Sequence, residues 1–461
     1  MEKMAKSSVL LANWIAGFDA ANCSAQDLNA VRLRIIDYIS SAAAGWTCNR
    51  TYNEAVDVLF HANGSDAHSS VLFTGKKLPA AAAAYVNATY AHGADMDDGH
   101  RQANGHPGVA LIPAVLALAE AENSAPADIF SAILVGYETY VRVSMAVQPG
   151  MLHRGFHGTG AVGAIAASAA CAKLLRLDAS GIHNAISLGA VQASGLFEVS
   201  ESGQAVKPIN PANACRTGVE SALLARAGVQ APENPFDGVK GFFHAFTDEA
   251  KPAYLVRPEG TPLAIHECYF KLSPACRHAH PSIDAGVELG RRNEINPDKI
   301  SQIDIFTYPN AAFVTGKIAV PKNSAEAKFS MRYALAMALQ RGRYSFQELE
   351  DAQRISGKTQ RLIEKMRVIP DEKYECPQMG IRGGRVVIHF IDGSEDSFDV
   401  RVPRGDPENP IKQEELLNKM DACCRNILDK EQQKKIYSCI MAEPFNLSEL
   451  MQLSSAVCAV H

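Results

Sequence analysis

Apolar and polar positions fall into two patterns along the chain. From about residue 25 to about residue 250, segments rich in Ala and Leu follow one another with short Gly, Pro or Asp punctuation, the signature of successive helices. The clearest are PAAAAAYVNATYAHG, GVALIPAVLALAEAEN, PADIFSAILVGYETYVRVSMAV, TGAVGAIAASAACAKLLRL and ASGIHNAISLGAVQASGL. Several are apolar or small on nearly every face, which predicts helices surrounded by other helices. After about Glu267 the pattern changes. ISQIDIFTYP alternates as a half-buried strand does, and GRVVIHFIDGSEDSFDVRVP reads as two strands joined at Asp392-Gly393. SAEAKFSMRYALAMALQRG between them predicts an amphipathic helix, and QEELLNKMDACCRNILDKEQQKKIYSCIMA returns to helix with i,i+4 charge pairs.

The expected fold is therefore mainly α: a large all-helical domain with a smaller α+β lid domain inserted near the C-terminal end. The predicted boundaries are 1–267 for the first helical segment, 268–405 for the lid and 406–461 for a C-terminal segment that returns to the helical domain. A length of 461 residues with 47% hydrophobic content suits two domains. A net charge of −5 with interspersed signs provides no basic patch for nucleic acid or an anionic membrane. The eleven cysteines are scattered with no C-x-x-C, which points to a reducing compartment, and no apolar run predicts a signal peptide or a membrane span. These features predict a cytoplasmic protein whose partner is a small molecule.

One stretch interrupts the apolar helices with unusual chemistry. HGADMDDGHRQANGHPG, His92 to Gly108, holds three aspartates and three histidines. A calcium loop fails on spacing, since its twelfth position would be His106 rather than Glu. A zinc site built on His92, His100 and His106, or on His153 and His157, lacks the H-E-x-x-H pattern, and Gly155 argues against a regular helix there. No metal is expected, and activity should survive chelators. Singly, each residue is accounted for by helix capping or a satisfied core histidine. Their concentration needs more. His157 directly precedes a helix, Lys207 lies in a turn before another, and Lys271, Arg277, His278 and His280 fall where the pattern changes. Together they offer cations for several carboxylates, with Asp95, His106 and His157 as acid and base candidates.

HGADMDDGH followed by GHPGVALIPAVLALAE, then GYE, GFHGTGAVGAIAASAACAKLLRLD, the Lys207 segment and KLSPACRHAHPSID, in this order, resemble the MmgE/PrpD family over essentially the whole chain. The resemblance implies a helical domain built from both chain ends, a smaller lid, a site between them, a homodimer and no cofactor. It also implies a lyase, dehydratase or decarboxylase, for a small di- or tricarboxylic acid of the 2-methylcitrate or cis-aconitate type. The family's acidic site residue falls on Asp95, its histidines on His106 and His157, and its lysines on Lys207 and Lys271. Gly99 stands where decarboxylase-like members carry Thr, and the loop to His106 is one residue longer. An epimerase of an aspartate-like or imino-diacid is the alternative, and a non-catalytic helical scaffold ranks below both. In the expected chemistry His106 transfers the proton, Asp95 orients or tunes a histidine, and Lys207, Lys271, Arg277, His278 and His280 hold carboxylates.

Overall fold

The structure, a computed structural model, describes residues 6–48, 67–200, 206–258, 260–376 and 380–455. Gly203, within the Lys207 segment of the sequence reading, lies outside the described residues. The chain divides into two compact units. One comprises residues 1–93, 97–268 and 423–461, and the other residues 94–96 and 269–422.

Helices make up most of the first unit, beside a short antiparallel pairing of Ser69–Ser70 with Lys77–Leu78. The Gly158–Leu174 helix is buried on all sides and packs against Pro107–Glu122, Pro126–Val147, Ala179–Val191 and Ile209–Arg226. Its sequence explains how. Gly, Ala and Ser at most positions let neighbouring backbones approach closely, and no face needs to meet water. The contact with Ile209–Arg226 is so close that a Cβ on Gly218 would lie 2.3 Å from the Ala167 Cβ and 2.7 Å from its carbonyl carbon. Pro107 and Pro126 each open a helix at its first turn, where the missing N–H costs nothing. The Ala179–Val191 helix is N-capped by Asp178, whose side chain accepts from the Gly181 N–H, and it stops before the expected Gln192–Leu196 continuation.

The second unit carries a four-stranded sheet in the spatial order Met366–Pro370, Ile300–Thr307, Gly384–Phe390 and Glu395–Val400. The first pair is parallel, with Ile303 opposite Met366, and the other two pairs are antiparallel. The hairpin at Asp392-Gly393 forms as expected, with Gly393 at φ +86° in the left-handed region that its turn requires. The helices His280–Arg292 and Met331–Arg341 pack on each other, and the former also covers the last two strands. The mainly helical class with a smaller sheet-bearing region is thus the observed one.

Two predicted helices break. SAEAKFSMRYALAMALQRG forms Ser324–Ala327 and Met331–Arg341, because the Ser330 hydroxyl accepts from Tyr333 N–H and starts the second helix anew. The C-terminal run likewise splits into Gln413–Cys424 and Lys430–Met441, the latter opened by a capping box between Asp429 and Gln432. The second unit runs to residue 422, past the expected boundary near 405. Arg404 explains the difference: its guanidinium pairs with Glu415 on the Gln413–Cys424 helix and also reaches Asn409, while Lys419 donates to the Met96 carbonyl at 2.6 Å.

Gly218→Ala should destabilise the protein by about 1–3 kcal/mol, since the added methyl meets backbone that cannot retreat without separating two buried helices. Urea unfolding should show a lower midpoint with an unchanged slope.

Candidate active site

The segment His92 to Gly108 assigns a different partner to each of its three carboxylates. In the first unit, Asp98 is a brace: its side chain accepts from the Gly108 N–H at 3.0 Å and the Tyr137 hydroxyl at 2.6 Å, and Arg34 lies 3.4 Å away. The Gly108 contact supplies a partner to an otherwise unpaired amide at the start of the Pro107–Glu122 helix. A Cβ at position 108 would sit 2.7 Å from both Asp98 Oδ1 and the Tyr137 oxygen, so this close approach requires glycine. The Asp98 carbonyl then accepts from His106 Nδ1 at 2.7 Å, fixing the ring of the residue at the N-cap position of the same helix.

Asp97 lies between two imidazoles. Its carboxylate is 2.9 and 3.0 Å from His92 Nδ1 and 3.2 Å from His106 Nδ1. Burial opposes its ionisation, but the two rings outweigh burial and hold its pKa well below the usual carboxylate range. His92 responds to the same burial in the opposite way. Desolvation, aided by the charge of Lys207 and by His106, lowers its pKa to about 4 against the pull of Asp97, so the ring is neutral near pH 7. His106 and His157 both stack around it, with ring centroids 4.8 and 6.0 Å from that of His92.

Local sequence explains how the three rings converge. His92 ends the Ala80–Gly93 helix, while His106 and His157 are the N-cap residues of the Pro107–Glu122 and Gly158–Leu174 helices. The two N-termini are linked through Thr159, whose hydroxyl accepts from His106 N–H at 3.3 Å. His157 Nδ1 accepts from the Asn210 amide at 3.1 Å, and Asn210 stands in the first turn after Lys207 on the Ile209–Arg226 helix. Two helix dipoles and a lysine therefore face this region, an arrangement that favours an anion. The bend from His100 to Gly105 is closed by its own bridge. The His100 ring accepts from Ala103 N–H at 3.0 Å and reaches Glu267 at 3.4 Å. His92, Asp97 and His106 also offer ligand atoms within 4.8 Å of one another and are among the described residues that could hold a cation.

The chain's family follows from its sequence along both units. Residues 9–255 match the MmgE/PrpD N-terminal domain and residues 273–441 the MmgE/PrpD C-terminal domain. The chain belongs to the MmgE/PrpD family. Among its relatives, a cis-aconitate decarboxylase-like protein of Aspergillus oryzae is 26% identical, with 96% of each chain covered. Cis-aconitate decarboxylase of Aspergillus terreus is also 26% identical, over 95% of this chain and 94% of the relative. An alkylcitrate dehydratase of Talaromyces stipitatus is 26% identical over 56% of each.

For this MmgE/PrpD protein the expected site residues separate by unit. His106, His157 and Lys207 meet in the first. Asp95, Lys271, Arg277, His278 and His280 lie in the second. There Asp95, at φ +55°, accepts from Lys271 Nζ through both its carboxylate, at 2.9 Å, and its carbonyl, at 2.7 Å. Asp95 thus pairs with a lysine, while Asp97 is within hydrogen-bond distance of two imidazoles. Arg277 is committed to the fold: it contacts His280 at 2.8 Å, Asp406 at 3.1 Å and the Arg404 carbonyl at 3.0 Å, above the Tyr269 ring. His280 is further bonded to the Ala275 carbonyl, and His278 to the Tyr308 hydroxyl. Burial, with the cations of Arg382 and Lys271, lowers the His278 pKa to about 3, so it is a neutral ring rather than a cationic anchor. The sequence reading passed over Asp97 and Asn210 as site residues and treated His92 only as a metal ligand. Their signal was their setting, one carboxylate five residues after a helix-ending histidine, but spacing alone does not say which of three acids turns toward the rings.

Stability should fall with pH in two stages. Between about 6.5 and about 4 the unfolded chain binds a proton at His92 that the folded chain excludes, so acidification costs on the order of 3 kcal/mol across that window. Below about 3.8 the unfolded Asp97 protonates while the folded carboxylate stays ionised, which adds a second loss. Urea midpoints measured from pH 7 to pH 4 should show the first stage in the wild type and a flatter profile in His92→Gln.

Proposed function

We propose that this protein is a lyase of the MmgE/PrpD type that removes water or carbon dioxide from a small di- or tricarboxylic acid. The observation that carries the reading is the buried group of His92, Asp97, His106 and His157 at two helix N-termini, close to Lys207. Relatives that span nearly the whole chain and are named cis-aconitate decarboxylases support it, as does the shorter match to an alkylcitrate dehydratase.

The chemistry suits these groups. Eliminating from a polycarboxylate requires charge-assisted contacts to carboxylates, proton transfer at carbon and stabilisation of an enolate-like intermediate. Lys207 and the two helix N-termini supply positive potential. His106 is the proton donor or acceptor, its ring oriented at Nδ1 by Asp98 and Asp97. His157, held at Nδ1 by Asn210, serves as a second imidazole in the same way. We further propose a homodimer, as the family resemblance implies, in the cytoplasm, a compartment that suits eleven scattered cysteines with no C-x-x-C. Among the described residues no helix is long and apolar enough to cross a membrane.

Incubation with citrate-like and succinate-like acids, followed by mass spectrometry and proton NMR in deuterated water, tests the class. Loss of water or carbon dioxide from one of them is expected, whereas deuterium uptake with no loss of mass elsewhere would assign an epimerase. His106→Ala should lower kcat by a factor on the order of 10²–10⁴ with little change in substrate affinity. Lys207→Ala should chiefly raise KM. Near-normal turnover in His106→Ala, with loss in His157→Ala, would move the proton transfer to His157.

A further inference from the structure

Gln148 has no part in the histidine group, yet its side chain is held against the helix that carries His157. The residue follows the last turn of the Pro126–Val147 helix, where its own N–H donates to the Ser144 carbonyl at 2.9 Å. Its amide lies beside the first turn of the Gly158–Leu174 helix: a Cβ on Gly158 would sit 3.2 Å from Gln148 Nε2. The residue is 6% exposed, and among the described residues no hydrogen-bond partner reaches either Nε2 or Oε1. In the same turn the Gly160 and Ala161 N–H groups both reach the His157 carbonyl, whereas those of Gly158 and Thr159 bond to nothing among the described residues. A buried amide with neither end paired is costly, and such groups in folded proteins generally meet a water or a ligand.

The amide itself restricts the chemistry of that ligand. Nε2 donates and Oε1 only accepts, and exchanging the two atoms leaves the same demand. A carboxylate has acceptors alone, so it would serve Nε2 and the helix amides but set an oxygen against Oε1. A primary carboxamide answers both ends: its carbonyl accepts from Nε2 and from the helix start, and its NH2 donates to Oε1. The helix dipole typically favours an anion by a factor of about 2 to 5, whereas an unpaired buried acceptor costs roughly 10-fold to 100-fold in affinity, so the carboxamide is the better fit. We infer that Gln148 and the start of the Gly158–Leu174 helix form a subsite for a primary carboxamide, so that the protein takes an acid bearing one amide group beside its carboxylate. This inference rests on the proposed site for small acids, since His157 is the N-cap of this helix and the Thr159 hydroxyl is bonded to His106 N–H, and it adds a group which that reading does not include.

Succinamate and succinate differ only in an amide for one carboxylate. Calorimetric titration of the full-length wild type with each should give succinamate the lower Kd by about 10-fold. Gln148→Met keeps the length of the side chain and removes both polar atoms. In this variant, with folding checked by circular dichroism, the two Kd values should agree within about 3-fold through loss of succinamate affinity. Should the variant not fold, the wild-type ratio decides by itself. Equal Kd values in the wild type, or a preference for succinate, would overturn the inference and assign the amide to a resident water. A succinamate preference that persists in folded Gln148→Met would overturn it too, because the carboxamide would then be read elsewhere. If neither compound binds at millimolar concentration the inference fails, while the polycarboxylate reading stands or falls separately on turnover of the citrate-like and succinate-like acids.

Discussion

The Asp98 carboxylate, buried against the start of the Pro107–Glu122 helix, is the contact on which the histidine site depends. Its oxygens meet the Gly108 amide and the Tyr137 hydroxyl, with Arg34 close by, so one side chain joins three helices. Burial and the adjacent negative charge raise the Tyr137 pKa well above its ordinary value, which keeps the phenol a donor. The main chain of the same residue accepts from His106. The bend between the two residues is thereby closed at both ends, and His106 gains a fixed ring orientation without a side-chain capping bond of its own. Preorganisation of this kind is what lets an imidazole exchange a proton without first reordering its surroundings.

The buried histidine group of the first unit is governed by one carboxylate and its burial. Asp97 is ionised between two rings, and His92 is kept neutral by the burial that surrounds them. A carboxylate within reach of two imidazole Nδ1 atoms orients both rings. His157 has its Nδ1 occupied by an amide donor. Two helix N-termini open beside this group, and their dipoles favour negative charge. The second unit balances its own charges, with Lys271 against Asp95 and Arg277 against Asp406.

Much of this was legible in the chain. Periodicity located the long helices, since a buried helix of small residues and a hairpin with Asp-Gly at its turn are local features that a window of ten to twenty residues contains. Where the reading failed locally, a single polar side chain had intervened: Ser330 and Asp429 each started a new helix inside an apparently continuous run. The order of motifs along the chain pointed to the family, and His106, His157 and Lys207, singled out from their positions before helices, belong to one unit.

The sequence by itself determined which groups were available: an acid-rich and histidine-rich bend, two helix starts that each carry an imidazole, and apolar helices able to enclose them. Only the tertiary structure decided the pairing. Asp95, Asp97 and Asp98 are nearly equivalent in the linear chain, yet one pairs with a lysine 176 positions away, one holds two imidazoles and one caps a helix and anchors a tyrosine. Arg277, singled out as a cation able to hold a carboxylate, also meets His280 and Asp406 within its own unit. The physical reason is range. Helix and strand preferences are fixed by neighbours a few residues apart, whereas the partner of a buried charge is whichever opposite group the packing of distant helices brings within about 3 Å, where desolvation makes an unpaired charge too costly to keep.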